Sequence, residues 1–489
     1  MANEVMMQAF EWYLPADGNH YEWLKENAKN LKESGIDALW LPPVFKGSSI
    51  NDVGYGTYDL YDLGEFDQKG IVGTKYGTLD ELREAIDELH KNDIKVYFDL
   101  VLNHKASADY TEKFMVQEVD QNDRNKSIGE AREIEGWTGF NFEGRNNKYS
   151  DFKWNYKHFS AIDYDNATGE NGIYLILKDE KDGGSGFSWG VSGEKGNFDY
   201  LMNADIDHSN PEVRKELFSW FDWLVDFIDF DGVRFDALKH IDDKFMYDFI
   251  DHVKDITDDD FYLFGEYWNS SLDANNHFMY ETKYNIDLFD VGLHFNFYQA
   301  SLDGGNYDLR KIFDNSLVNL HPTMAVTFVD NHDSQRGQAL ESYVRDWFKK
   351  IAYGIILLRK DGYPCIFFGD YFGVNTEEGN KIEGNKDMID NLIWIRKNYA
   401  YGEEVTYYGK ESLIGWVRHG NDDHPGSLAV VASIGDMDSL QMNVGEDQAG
   451  KVYVEITGEN DKEITIDEDG NANFEVGPGS LSCWVEKLD

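Results

Sequence analysis

The chain has 489 residues, 41% of them hydrophobic, and its acids outnumber its bases 92 to 45, for a formal net charge of −47. That length buries a large core and calls for two or three domains. The charge repels phosphate backbones and anionic lipid, so nucleic-acid and membrane partners are excluded. No apolar run approaches the ~20 residues needed to span a bilayer, and the opening MANEVMMQAF lacks a basic region, a long apolar stretch and a small-residue cleavage site. A cytoplasmic monomer is the expectation, with secretion after signal removal as the alternative. The two cysteines, Cys365 and Cys483, supply no disulfide framework.

Strand-like apolar runs recur at Val5–Phe10, Ile36–Val44, Ile94–Leu102, Phe230–Leu238, Phe261–Trp268, Leu288–Phe295, Met324–Asp330 and Tyr363–Gly369. Between them lie segments of helical period. Thr78-Leu79-Asp80-Glu81 reads as a capping box before Leu82, Ala85, Ile86 and Leu89, and Ser209-Asn210-Pro211 places a cap and a first-turn proline before Val213, Leu217, Phe221 and Leu224. Eight strands alternating with helices predict an α/β fold, a (β/α)₈ TIM barrel. About a hundred residues separate the third strand from the loop before the fourth, too many for an ordinary connection. An inserted, mainly β domain is predicted there, with a strand-like piece at Gly172–Leu177. Beyond Asn398, short alternating runs at Ser412–Val417, Ser427–Ala432, Lys451–Ile456, Ala472–Val476 and Ser480–Val485 predict a C-terminal antiparallel β-domain, with acidic Glu459–Asp469 as a solvated turn. The division is barrel residues 1–104 and 206–397, insert 105–205, and C-terminal domain 398–489.

Four stretches place acids where an apolar run meets a loop: DLVLNH (Asp99–His104), GVRFDALKH (Gly232–His240), FGEYW (Phe264–Trp268) and FVDNHD (Phe328–Asp333). Such strand ends converge on one face of a barrel, the face that carries active sites. Glycosidic cleavage needs an ionised carboxylate beside a protonated one. Asp236 follows Arg234 by two residues, so both side chains share a face and the cation favours an ionised nucleophile. Glu266, between Gly265 and Tyr267-Trp268, has an aromatic setting that favours a retained proton and a general acid. Asp333 is a third acid. A lone strand-end aspartate more often caps the next helix; four such ends together outweigh that reading. Aromatics at 15% of the chain suit stacking on sugars, although most fill the core.

In order and content these stretches resemble the signature regions of the α-amylase family, glycoside hydrolase family 13. AFEWYLPADG (Ala9–Gly18), DVGYGTYDLYDLGEF (Asp52–Phe66), NFDYLMNADID (Asn197–Asp207) and YGIILLRKDGYPCIFFGD (Tyr353–Asp370) are similar to the bacterial liquefying enzymes and their intracellular relatives. The resemblance implies an endo-acting, retaining enzyme on internal α-1,4 bonds of starch, glycogen or maltodextrins, with an α-glucan as its partner. Asp236 is then nucleophile, Glu266 acid and Asp333 a transition-state support. Tyr58 would stack on the sugar at the cleavage point, His104, His240 and His332 would bind its hydroxyls, and Lys239 would bind the next sugar. Arg234 belongs to the same pattern. The resemblance also implies one structural Ca²⁺ on Asn103, Asp199, Asp205 and the His240 carbonyl, the hard oxygens calcium prefers. Where the liquefying enzymes add a calcium–sodium–calcium cluster, this chain keeps Asp207 but has Ser160, Ser188 and Ser209 in place of aspartates. A further calcium site at the C-terminal domain is unsupported by Lys410-Glu411-Ser412. The rivals are a same-clan transglycosylase or α-glucoside isomerase, and a catalytically silent binding protein, which would have lost acids this chain keeps.

The charge excess has a measurable consequence. Self-repulsion is concentrated by folding, and raising salt from 0.1 to 1 M shortens the screening length from about 10 to about 3 Å. The melting temperature should rise towards 1 M sodium chloride with calcium held saturating. A flat or falling curve in a thermal scan would mean that the 92 acids and 45 bases are interleaved well enough to cancel.

Overall fold

The computed structural model describes residues 3–179 and 184–487. Eight parallel strands close into a barrel: β1 (Met6–Gln8), β2 (Ala38–Trp40), β3 (Lys95–Leu100), β4 (Gly232–Phe235), β5 (Tyr262–Gly265), β6 (Asp287–Phe289), β7 (Ala325–Phe328) and β8 (Tyr363–Phe367). β1 pairs with both β2 and β8, which closes the ring and removes every edge. The strands are buried on both faces, as parallel strands under a helical coat must be, and therefore read as continuous apolar runs.

The helices between them start where the sequence chemistry places them. Thr78 and Glu81 form a reciprocal capping box, and Leu79–Lys91 turns Leu79, Leu82, Ala85, Ile86 and Leu89 inward. Asn210 is the cap of Pro211–Phe227, its side chain accepting from the Glu212 N–H. The sixth run departs from expectation: only Asp287–Phe289 is strand, and Val291–Asp303 is helix. Asp290 is the cause. Buried at the strand end, its carboxylate accepts from the N–H groups of Leu293, Leu317 and Val318 at 2.8–2.9 Å, so the chain turns into a helix there.

Between β3 and β4 the chain builds a six-stranded sheet from His104–Lys105, Tyr110–Val119, Ser127–Gly139, Phe159–Asp165, Glu170–Ile176 and Ala204–Ile206. Its long hairpin, Tyr110–Val119 against Ser127–Gly139, was not anticipated, because few of its residues are buried and the apolar alternation is sparse. The last strand of this sheet runs through the expected boundary at 205.

At the C-terminus a six-stranded sheet and a two-stranded one enclose a separate core of Leu413, Val417, Val431, Phe474 and Trp484. All five expected strands are present. Glu404–Tyr408 and Asp438–Asn443 add to them, and Glu463–Thr465 is a short strand inside the segment expected to be only a turn. The helix Lys386–Tyr399 continues past the expected boundary at 397. This sheet docks through Trp416, whose indole N–H donates to the Leu358 carbonyl at 3.3 Å. Cys365 and Cys483 are both buried and unpaired. Among the described residues no helix is long and apolar enough to cross a membrane.

Candidate active site

Strand register decides which carboxylates meet. Arg234 on β4 lies opposite Asp99 on β3 and Phe264 on β5, and Glu266 follows one residue after β5 ends. The fully buried guanidinium collects them: Nη1 donates to Asp99 Oδ1 at 2.8 Å and to Asp236 Oδ1 at 2.7 Å, and Nη2 to Glu266 Oε2 at 2.9 Å. Asp99 is held further by the Trp40 indole N–H at 2.9 Å and the Tyr55 hydroxyl at 2.8 Å. Sequence reasoning placed Asp99 within an acidic strand end but assigned it no task. Its position opposite Arg234 is what makes it the arginine's second anchor.

Burial pushes Glu266 up to about 8; Arg234 opposes this, while the charges of Asp236 and Asp333 reinforce it. Burial likewise raises Asp333 to about 7 and Asp99 to about 6, with Arg234 the main opposing influence in each case. The group thus holds protonated and ionised carboxyls together near neutrality, which is the condition for acid and base work at one centre. Because these carboxyls interact, the titration belongs to the set.

His332 is buried, and burial with the nearby Arg234 charge holds its imidazole neutral, well below the usual histidine range. Its ring stacks on Tyr55 at 4.9 Å and 3°, and its Nε2 faces Asp333 Oδ2 at 3.4 Å. Asn331 orients Asp333 by accepting its backbone N–H at 3.0 Å. Burial lowers His240 to about 3, and its Nδ1–H donates to the Phe198 carbonyl at 2.6 Å. His104 uses Nε2–H on the Tyr55 carbonyl at 2.8 Å and so fixes Tyr55 in place. Lys239 Nζ is held by Glu194 at 3.3 Å.

Tyr58 does not join this group. It is 2% exposed, its hydroxyl donates to Asp109, its ring packs on Phe142, and Lys69 Nζ covers it at 4.0 Å from the ring centre. No open face remains for a sugar. Tyr55, in the same sequence stretch, is the aromatic beside Asp99, Arg234 and His332, and it is only partly buried.

Asn103 Oδ1 is buried with no hydrogen-bond partner, and Asn103 Nδ2 lies 3.3 Å from Asp205 Oδ1. Burial raises Asp199 to about 8, with Asp207 and Asp242 adding to the shift, and burial beside the Asp199 charge likewise raises Asp205 well above the usual carboxylate range. An orphaned buried amide oxygen among mutually repelling buried carboxylates is a donor set that fits a hard divalent ion. Among the described residues no group of three His, Cys, Asp or Glu side chains forms a metal site; the side chains of this set are two carboxylates and an amide. Ser160, Ser188 and Ser209 donate their hydroxyls to Asp205, Asp242 and Asp207 respectively, and Lys178 pairs with Asp207.

A closed parallel barrel with this arginine-centred carboxyl set at the ends of its strands defines a glycoside-hydrolase type of site. The sequence profile described as "Alpha amylase, catalytic domain" matches residues 24–398, and the chain belongs to that family. It is 47% identical to the glucan 1,4-alpha-maltohexaosidase of Bacillus sp. (strain 707), over 99% of this chain and 93% of that protein. Against the alpha-amylase of Bacillus licheniformis the identity is 44% over 99% and 94%, and against the cytoplasmic alpha-amylase of Escherichia coli (strain K12) 39% over 99% of both. Among solved structures the fold matches an alpha-amylase from Geobacillus thermoleovorans complexed with acarbose, with a TM-score of 0.66 at 19% identity, covering 100% and 99% of the two chains.

The Glu266 proton is directly observable. A protonated-carboxyl infrared band, absent from Glu266→Gln, should persist at neutral pH and fade as pH rises through about 8. Its disappearance by pH 5 would show that burial does not hold the proton.

Proposed function

We propose that the chain is an endo-acting, retaining α-amylase that hydrolyses internal α-1,4-glucosidic bonds of starch, glycogen and maltodextrins. One observation carries this: two nitrogens of one guanidinium hold Asp236 and Glu266, keeping the two carboxyls close while burial keeps a proton on the second. A retaining glycosidase requires that pairing, with carboxyls about 5 Å apart. The family membership and the hydrolase names of the high-identity relatives support the same reading.

In the mechanism, Glu266 gives its proton to the glycosidic oxygen as Asp236 attacks the anomeric carbon, forming a covalent glycosyl ester. Glu266, now ionised, then takes a proton from water, which cleaves the ester with net retention. Asp333 supports the positive charge that develops on the sugar ring. Tyr55 takes the stacking role first expected of Tyr58; His332 and His240 bind hydroxyls, His104 acts through Tyr55, and Lys239 binds the sugar beyond the scissile bond once it exchanges Glu194 for a hydroxyl. We also propose the barrel, insert and C-terminal division of the sequence reading, a cytoplasmic monomer, and no nucleic-acid or membrane partner.

Asp236→Asn should lower kcat at least about a thousandfold while maltodextrin binding is retained, because the change removes a nucleophile and little shape. Glu266→Gln should be as inactive on starch yet recover on glycosyl fluorides, whose leaving group needs no proton. Near-normal starch hydrolysis by Asp236→Asn would sink the assignment, and products dominated by transfer from maltoheptaose would move it to a transglycosylase.

Calcium would sit on Asn103, Asp199, Asp205 and the His240 carbonyl, where it would neutralise buried carboxylates and tie the insert to the ends of β3 and β4. A larger metal cluster is not proposed, since Lys178 and three serine hydroxyls already serve the neighbouring acids. Nor is one proposed at the C-terminal sheet, where Lys410 pairs with Asp438 at 2.6 Å. Metal analysis should find about one tightly held calcium, and chelation at constant ionic strength should lower the melting temperature. Two or more tightly held calciums would show that the serines and Lys178 do not replace the cluster.

A further inference from the structure

His332 touches the reacting centre, but its chemistry is set from behind. Gln8 ends β1, is 1% exposed, and points Nε2 at His332 Nδ1 across 2.8 Å. The imidazole cannot turn away from this contact. Tyr55 stacks on it at 4.9 Å, Trp12 lies parallel at 6.0 Å, and Phe10 and Trp40 close its edges at 5.1 and 5.8 Å.

A neutral imidazole carries one N–H, so its two nitrogens cannot both donate. On the pocket side Nε2 faces Asp333 Oδ2 at 3.4 Å, an oxygen that accepts when that carboxyl is ionised but need not when it is protonated, so Asp333 alone leaves the tautomer open. Behind the ring Gln8 Nε2 is the group at Nδ1, so the proton belongs on Nε2, Nδ1 accepts, and the position behind it must hold a donor. A carboxamide NH₂ satisfies this, and the consequence is visible: Gln8 Oε1 is left buried with no hydrogen-bond partner. An unpaired buried amide oxygen is costly, so the amide orientation is held by the one bond its nitrogen makes.

We propose that Gln8 is a positioning residue for the hydrolytic reaction: its amide locks His332 in the Nε2–H tautomer, aiming a neutral donor at the substrate hydroxyl and Asp333. This rests on the reading of His332 as a hydroxyl-binding group. The charged and titratable groups that face the ring are Asp333 on its own turn, Arg234 from β4 and Tyr55 from the loop after β2, and Asp99, Asp236 and Glu266 stand behind them on the Arg234 guanidinium. None of them contacts Nδ1 among the described residues, so Gln8 is the residue that decides the tautomer.

The test uses the full chain, with histidine labelled with ¹⁵N and the His332 signals assigned by their loss in His332→Asn. Wild type should show Nε2 protonated and Nδ1 unprotonated throughout the pH range in which it is active. Gln8→Leu removes the donor and should lower kcat on maltoheptaose about tenfold to a hundredfold, the worth of the one hydrogen bond that a misplaced His332 Nε2–H no longer gives to a charged partner in the pocket. KM should stay within about twofold, because the donor matters most as charge develops. Gln8→Glu preserves volume and tests direction: its protonated acid can still donate to Nδ1, whereas its carboxylate can only accept. Activity per folded molecule should therefore fall through an ionisation that wild type lacks, with the His332 proton moving to Nδ1 or a second proton binding. A Gln8→Glu pH profile parallel to wild type, or a His332 tautomer unchanged in both variants, overturns the proposal. A changed tautomer with unchanged kcat overturns the positioning role. Full activity in His332→Asn would instead remove the hydroxyl-binding reading, while the ¹⁵N result for Gln8 would stand on its own.

Discussion

Everything at the mouth of the barrel is arranged around one buried cation. Arg234 is wholly removed from water and has the Asp99, Asp236 and Glu266 carboxyls as hydrogen-bonded neighbours, with Trp40 under its plane at 4.9 Å. One positive charge cannot balance three negative ones in a low-dielectric interior, so the set is most stable with at least one proton retained. Glu266 is the deepest in this respect: the repulsion of Asp236 and Asp333 adds to burial, whereas Asp99 is relieved by two neutral donors, Trp40 and Tyr55. The protonation pattern is thus a consequence of where the arginine sits, and the arginine sits there because Arg234 is opposite Asp99 in the β3–β4 register. Slipping that pairing by one residue would turn the guanidinium towards the helices and dissolve the group.

From this centre the organisation spreads through rings. Asp99 holds the Tyr55 hydroxyl, Tyr55 stacks on His332, and His332 is backed by Gln8, so the ends of β1, β3 and β7 and the loop after β2 are linked by side chains with no flexible aliphatic stem except the glutamine. His104 ties the Tyr55 backbone into the same chain of contacts. Two-torsion aromatic side chains lose little entropy on ordering, which suits a site that must be formed before substrate arrives.

The parts of this plan that follow strand periodicity were legible in the sequence. Acids at the ends of β3, β4, β5 and β7 are visible because an apolar run stops beside them, and Arg234 and Asp236 share a face because they are two apart on an extended chain. Tyr55 and Tyr58 show where such reasoning ends. Both lie in one loop-rich stretch; Thr57–Asp59 is a two-strand ribbon piece, and alternation within it cannot say which tyrosine meets the barrel axis. That is decided by Lys69 and Asp109, which claim Tyr58 from the insert side. Asp290 was hidden in the same way, since a capping aspartate inside an apolar run interrupts no hydrophobic pattern. The hairpin of the insert and the half-exposed strand Glu404–Tyr408 carry too little apolar alternation to announce themselves.

The boundary between insert and barrel handles its acids by the opposite means. Where the catalytic set uses a fixed guanidinium, Asp205, Asp207 and Asp242 each receive a serine hydroxyl, and only Asp207 has an ammonium partner. Hydroxyls satisfy lone pairs without cancelling charge, so Asp199 and Asp205 stay raised, and a cation remains the natural complement of the unpaired Asn103 oxygen. The two centres are not independent. Asn103 is bonded neighbour to His104, which holds Tyr55, and His240 closes the short helical turn that begins after Asp236. The residues beside the raised Asp199 and Asp205 are therefore continuous with both sides of the carboxyl group, on one side through the His104 ring and the Tyr55 backbone and on the other through the turn from Asp236 to His240.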